Sequence, residues 1–251
     1  MSDTTTGQRI GDILDSIDFT EPGKRVLDTG DAIFDVPPKG EDTALGIIQN
    51  LLSAERGVVY VQRDGVFRYE ERATRARRTV PAGTITNAVV RTDPGWELDS
   101  LKNRVSVQRI NPVTGSQIGR AQIAENRQSV EAFGVSDATE ITTGYLSPQT
   151  DATALSLAQY IVNIRQGFRK PVDVELHAND EATSRIQLER ELQDRITLDT
   201  DTASGDWHIE KITHRIRPGS FITTFSLSDR GTEAFVIDTD TFDNTTNLIT
   251  Y

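Results

Sequence analysis

A chain of 251 residues with a formal net charge of −11 and no cysteine is long enough for one large or two modest domains, each able to bury its own core. Lack of cysteine excludes a disulfide framework, a thiol nucleophile and Cys-based zinc or iron–sulfur sites, and the acidic balance opposes sequence-independent attraction to DNA phosphate. The start "MSDTTTGQRIGDILDS" lacks the basic and apolar regions of a signal peptide, and no stretch approaches the roughly 20 apolar residues that span a bilayer, so a soluble chain with no membrane span is expected. The excess of arginine over lysine suits a high-GC genome, and the acidity also suits a salt-loving host.

In "TGQRIGDILDSIDF", Ile10, Ile13, Leu14 and Ile17 recur at helical spacing, with Thr5 or Thr6 as N-cap, which predicts a short amphipathic helix. The turn "EPGK" and an irregular "RVLDTGDAIFDVPPKG" lead to "DTALGIIQNLLSAERG", a second helix with Leu45, Ile48 and Leu52 on one face and Gly57 just past its end. Next, "VVYVQRDGVFRYEER" reads as strand, tight Asp-Gly turn and strand, with Val59, Val61, Val66 and Tyr69 as apolar contributors. Residues 1–80 are therefore expected to form an α+β unit of two helices and a β-hairpin.

From about residue 81 the texture changes to Thr/Val/Ile-rich alternation. "TITNAVVRT", "RVSVQRI" and "QIGRAQIAE" read as antiparallel strands, with "NPVTGS" as a turn. One helix near 152–166 interrupts them, "DATALSLAQYIVNIRQGF", capped by Asp151 and striped by Leu155, Ala158, Ile161 or Val162, and Ile164. In "PVDVELHA", Val172, Val174 and Leu176 alternate with polar positions; "DRITL" and a closing hairpin follow. In that hairpin Arg217-Pro218-Gly219-Ser220 suits a type II turn, and Phe221, Phe225 and Leu227 share one face opposite Ile212 and Ile216. The fold class is α+β: the small helix–hairpin unit, then a mostly antiparallel, β-barrel-like domain over 81–234 with one inserted helix. Residues 235–251, acidic and Thr-rich, read as an extended C-terminal arm.

Three patterns carry possible chemistry. Asp28-Thr29-Gly30 after two apolar residues presents a carboxylate as an aspartic protease does, but that chemistry needs a second carboxylate to share one proton, and no second Asp-Thr-Gly or Asp-Ser-Gly occurs. An Asp/Gly turn fits it better. His208, Glu210 and His214 have the same parity, and two histidines with a carboxylate suit zinc. Yet Ile212 and Ile216 share that parity while Trp207 and Ile209 oppose it. One core face then requires a bulge near Glu210-Lys211, which separates the histidines, already about 20 Å apart along a strand. The cluster "RYEERATRARR", with Arg68, Arg72, Arg75, Arg77 and Arg78, has the composition of a nucleic-acid patch, but its interleaved glutamates favour an exposed linker or interface. Phosphate-loop, His-Glu-x-x-His and Gly-x-Ser-x-Gly motifs are missing, and Asn244-Thr245-Thr246 is only a formal glycosylation acceptor. No catalytic, cofactor-binding or metal-ligating residue is assigned, no cofactor is expected, and a non-enzymatic role follows.

The ordered series "GQRIGDILDSIDF", "VLDTGDAIF", "ALGIIQNLLSAERGVVYVQRDGVFRYEER", "LKNRVSVQR", "QSVEAFG", "ALSLAQYIVNIR", "PVDVELHA", "LERELQDRITL" and "WHIEKITHRIRPGSFITTFSLSDRG" resembles the minor tail proteins of long-tailed phages and related tailed viruses, a family similar in fold to baseplate hub proteins of contractile tails. The resemblance spans about residues 7–231 and makes Asp-Thr-Gly a structural turn. It implies a virion component at the distal end of the tail, a homotrimeric hub or tip subunit. Such a subunit would join the tail tube or distal-tail ring to tip, fibre or tape-measure proteins and line the genome exit path. Viral DNA would pass without specific binding, since an acidic lumen does not hold phosphate. Family members usually carry a further β-rich domain before the "GQRIGDILDS" equivalent, expected here on another polypeptide or trimmed away. The alternatives are a tail-associated hydrolase and a receptor- or glycan-binding tip module; for the latter, Trp96 and Trp207 in a chain with 6% aromatics offer a modest platform.

Overall fold

The computed structural model describes residues 3–34, 43–86, 89–92, 101–111, 114–141, 150–165, 172–178 and 180–229. In chain order the elements begin with β1 (Asp3–Thr5), α1 (Thr6–Ser16), β2 (Arg25–Leu27), β3 (Ala32–Phe34), α2 (Ala44–Glu55), β4 (Val58–Val61), β5 (Phe67–Glu70) and α3 (Arg72–Arg77). There follow β6 (Thr84–Ile85), β7 (Val89–Thr92), β8 (Arg104–Ile110), β9 (Gln117–Glu125), α4 (Arg127–Phe133), β10 (Asp137–Ile141) and α5 (Asp151–Arg165). The last are β11 (Val172–His177), α6 (Glu181–Glu189), β12 (Arg195–Asp199), β13 (Ser204–Arg217) and β14 (Ser220–Asp229). They fall into two compact units, one drawn from within Met1–Ala76 and Lys102–Gln166, the other from within Arg77–Leu101 and Gly167–Glu233.

The first unit holds two cores. Helix α1 starts where Thr5 accepts from the Gln8 N–H while the Gln8 side chain accepts from the Thr5 N–H, a reciprocal cap that satisfies two donors at once. Its Ile10, Ile13 and Leu14 pack with Ile33, Ile48, Leu51 and Tyr69, and full burial of each aliphatic side chain stabilises by about 1.5–3 kcal/mol. Thr43 caps α2, whose inward face carries Ile48, Leu51 and Glu55; Leu45 is 63% exposed, so the apolar stripe is rotated from the one expected. The left-handed residue ending α2 is Arg56, at φ 63°, and not Gly57. Gly57 is required for space: a Cβ there would lie 2.9 Å from the Glu70 carbonyl oxygen.

Strands β4 and β5 form the expected antiparallel hairpin, with Gly65 at φ 82° in its turn; Tyr60 and Tyr69 are buried, whereas Val61 is exposed. The stretch read as irregular contributes β2, parallel to β5, and β3, antiparallel to β1. In the second core, α5 lays Ala154, Leu157, Ala158, Ile161 and Val162 on Val105 and Val107 of β8. That stripe is an i, i+3, i+4, i+7, i+8 face, set one position away from Leu155 and Ile164, which are half-buried. Thr150 caps the helix through the Thr153 N–H, and Asp151 is its first residue. Strand β8 lies between β9, antiparallel, and β10, parallel.

In the second unit the strand order is β6-β12-β13-β14-β11-β7, antiparallel except for β6 with β12. One face collects Ile85, Val172, Val174, Leu176, Ile196, Leu198, Trp207, Ile209, Phe225 and Leu227 into a single core. Helix α6, absent from the sequence reading, is capped by Asp180 and held by the buried Gln187, whose amide donates to the Leu176 carbonyl at 2.6 Å. In place of the barrel-like closure expected, no sheet closes into a barrel among the described residues, and the edges of the largest are β6 and β7. Four residues of chain lead from Ile85 to Val89 and reach about 14 Å at most. A flat six-stranded sheet would hold its edges about 24 Å apart. The sheet is therefore curled.

Candidate functional site

Asp28-Thr29-Gly30 follows β2 and is clamped from three sides. The Asp28 carboxylate accepts from the Glu71 N–H at 3.1 Å and from the Thr74 hydroxyl, so it anchors the start of α3. The Gly7 N–H at the start of α1 donates to the Thr29 carbonyl at 2.9 Å, and an added Cβ at Gly7 would stand 1.8 Å from the Asp28 carbonyl oxygen. The Gly30 N–H donates to the Glu71 carboxylate at 3.1 Å. Every polar group of the motif named here is engaged in joining α1, β5 and α3.

Behind this turn lies a buried ionisable group. Glu55, at the end of α2, is 4% exposed and Tyr69 is wholly buried. Gly30 sits against both: at φ 71°, its missing Cβ would lie 2.4 Å from the Tyr69 hydroxyl and 2.9 Å from each Glu55 carboxyl oxygen. Burial pushes the Glu55 carboxyl up to about 7, and nearby Asp31 adds to the rise; the neighbouring Thr6 and Tyr69 hydroxyls and the Arg72 guanidinium oppose it. Burial beside Glu55 likewise pushes the Tyr69 phenol well above its usual range. Arg72, itself nearly buried, pairs with Asp31 through both guanidinium nitrogens and reaches the Ser156 hydroxyl at 3.2 Å and the Glu55 carbonyl at 3.4 Å. The buried Glu55 carboxyl thus sits beside a network in which Arg72 ties α3 to Asp31, α2 and α5.

The closing hairpin holds the two histidines apart. The β13–β14 register shifts between Ile209 and Lys211, a bulge at the position the parity conflict demands. Before it, Trp207 and Ile209 face the core opposite Asp229 and Leu227; after it, Ile212, His214 and Ile216 take that face opposite Phe225, Thr223 and Phe221. His208 lies on the other face, buried, with Nδ1 donating to the Gln193 carbonyl at 3.4 Å. His214 hydrogen-bonds the Thr223 hydroxyl at 2.8 Å and leans on the Phe221 ring. Glu210 accepts from Gln193 and Ser228. The three residues do not converge, and no group of three or more His, Cys, Asp or Glu able to hold a metal occurs among the described residues.

Three arginines of the cluster are engaged within the fold. Arg68 pairs with the buried Glu70 at 2.8 Å, Arg72 with Asp31, and Arg78 donates to the Gln193 carbonyl. No family model matches the sequence, and no curated protein does. Solved structures do match. The tail protein from Neisseria meningitidis MC58 aligns over 92% of this chain and 68% of its own, with TM-score 0.58 and 9% identity. The 43 kDa tail protein of prophage MuSo2 from Shewanella oneidensis aligns over 93% and 68%, with TM-score 0.59 and 9% identity. The prophage tail protein gp18 from Listeria monocytogenes covers 92% and 66%, with TM-score 0.53 and 14% identity. The chain has a tail-protein fold. It spans about two thirds of the length of each of these proteins.

Within the tail-protein fold, the sequence reading located Asp28 and the bulge but missed the polar network around Glu55, because Glu55 sits in a helix whose neighbours are distant in sequence. The one available signal was its place at i+4 and i+7 from Leu51 and Ile48 on the inward face of α2. Asn103 was also missed: it is fully buried, its amide donates to the Gly134 carbonyl and the Ser129 hydroxyl, and its oxygen accepts from the Ser136 N–H, fixing both ends of α4 to β8. No helix among the described residues is long and apolar enough to cross a membrane.

Proposed function

We propose that this chain is a non-enzymatic structural subunit of a virus tail, a hub or tip subunit at the distal end that assembles as a homotrimer. It would join the tail tube or distal-tail ring to tip, fibre or tape-measure proteins, with the genome passing along it unbound. The observation that carries this reading is that the likeness to tail proteins extends over 92–93% of the chain, so both units are included. The local chemistry supports it too. The residues with the most catalytic appearance are used as fasteners: Asp28 anchors the start of α3, Glu210 braces the bulge, and Arg72 pairs with Asp31. A curled sheet with a rigid apolar face suits a wall element in a closed ring, where each copy offers one surface to the next around the axis.

The test is mass spectrometry of purified virions together with labelled electron microscopy. The chain is expected in intact particles at the tail's distal end, in three copies. Absence from particles, or a label on the head, would overturn the assignment; a sixfold ring would overturn the trimer alone.

A further inference from the structure

Strand β13 has two halves with different neighbours. Ser204–His208 pair with β12, and Trp207–Ile209 pair with β14, but beyond the bulge Lys211–Arg217 pair with β14 alone among the described residues. Hydrogen-bonded and non-hydrogen-bonded pairs alternate along an antiparallel ladder, and a two-residue turn closes on a hydrogen-bonded pair, here Arg217 with Ser220. The backbone N–H and C=O of Ile212, His214 and Ile216 therefore point away from β14. Among the described residues nothing pairs with this side, which leaves about 20 Å of open ladder.

Its side chains add a second and a third signal. Thr213 through Arg217 are all exposed, and Ile216 is 77% exposed next to the half-buried Phe221 on the same face. On the other face stand Lys211, Thr213, Arg215 and Arg217. From Lys211 to Thr223 the chain carries these three basic residues and no acidic one, although its net charge is −11. Natural edge strands are protected by charge against aggregation, yet a row of one sign beside an exposed isoleucine also selects an acidic, partly apolar strand. The copy of highest local concentration that meets this description is another molecule of the same acidic chain.

We propose that the open edge of β13, Lys211–Arg217, is an interface that docks onto a second copy of this chain by strand addition, with Lys211, Arg215 and Arg217 against acidic side chains and Ile216 against apolar ones. The inference rests on the structural-subunit reading and names the surface through which copies meet. The open ladder favours protein over nucleic acid, because phosphate uses the charges but neither the backbone groups nor Ile216.

The full-length chain, K211E/R215E/R217E and Ile216→Pro are compared by native mass spectrometry and light scattering at low and high salt. Proline at position 216 blocks the outward ladder while leaving the bonds to β14 in place. The wild type is expected to self-associate, more weakly at high salt, and each variant to weaken association by roughly tenfold or more, with its thermal transition close to that of the wild type. Variants that associate like the wild type would overturn the proposal, as would a wild type that stays monomeric. Binding of a duplex DNA probe abolished by the charge reversal, with association unchanged, would overturn it in favour of nucleic acid. If the wild type is present in virions while the variants still associate normally, this surface is wrong and the tail reading stands; if the wild type is absent from virions, the tail reading is what fails.

Discussion

Replacing Glu55 by glutamine is expected to stabilise the protein at neutral and alkaline pH and to do nothing at acid pH. The folded chain keeps this buried carboxyl protonated up to about pH 7, whereas an exposed glutamate releases its proton near 4.5. Between those values the unfolded chain binds fewer protons than the folded one, so each rise in pH favours unfolding until the folded carboxyl also ionises. The gap between the two pKa values corresponds to about 3 kcal/mol of stability lost between pH 4.5 and 7. Glutamine retains the shape of the neutral acid beside Gly30 and Tyr69 and has no proton to lose. Calorimetry of both proteins from pH 4 to 8, with hydrogen exchange on α2 and β5 to assign the change to the first unit, measures the difference. Matched transitions at pH 4 and a widening advantage for Glu55→Gln, levelling above pH 7, are predicted. A difference that does not vary with pH, or one that shrinks as pH rises, would refute the buried-proton account.

Other expectations come from the same contacts. Gly7→Ala drives a Cβ to within 1.8 Å of the Asp28 carbonyl oxygen and should cost more than about 3 kcal/mol or prevent folding. Gly11→Ala, in the same helix, meets only the Leu27 side chain at 3.6 Å and should gain up to about 1 kcal/mol through helix propensity; equal melting temperatures for the two variants would contradict the reasoning. Asp28→Ala removes both bonds that anchor the start of α3 and should cost about 1–3 kcal/mol, with faster exchange at Glu71; an unchanged unfolding midpoint would show that these bonds carry no weight. Deleting Glu210 removes the extra residue of the bulge and leaves Ile209 and Ile212 on the core face, so the chain should still fold, as judged by its near-ultraviolet circular dichroism. An insoluble product would mean that the register is not held as described.

What could be read from the sequence was local. The cap on α1, the β4–β5 hairpin, the strict alternation of β11 and the Pro218-Gly219 turn each depend on residues a few positions apart. The bulge in β13 was legible for a stronger reason: two sets of apolar residues with opposite parity cannot share one core without it. The misses are equally physical. Helices α3, α4 and α6 have 6, 7 and 9 residues, too few for their periodicity to outweigh polar composition. Strands β2 and β3 have 3 residues each and gain their stability from partners such as β5, about 40 residues away. The parallel pairing of β10 with β8 and of β6 with β12 leaves no mark in either strand alone. Gly57 illustrates how a correct residue can be given the wrong reason: the sequence pattern suggests a left-handed helix end, and the structure uses the glycine for close approach to β5 while Arg56 turns the chain.

The site followed the same rule. Asp28 stood out because Asp-Thr-Gly is a contiguous motif, while Glu55, Tyr69, Arg72 and Asp31 come together only through the fold. Together they hold the turn: the Asp28 carboxylate at one end binds the start of α3, and the Glu55 carboxyl behind it fills the space that a side chain at Gly30 would occupy.

A structural part of a virus tail must be found in the particle. Locating the chain in a reconstructed virion, with its copy number, tests that requirement most directly. Three copies in a ring at the distal end of the tail are predicted. Density for the chain in the head, or purified particles that lack it altogether, would contradict the account.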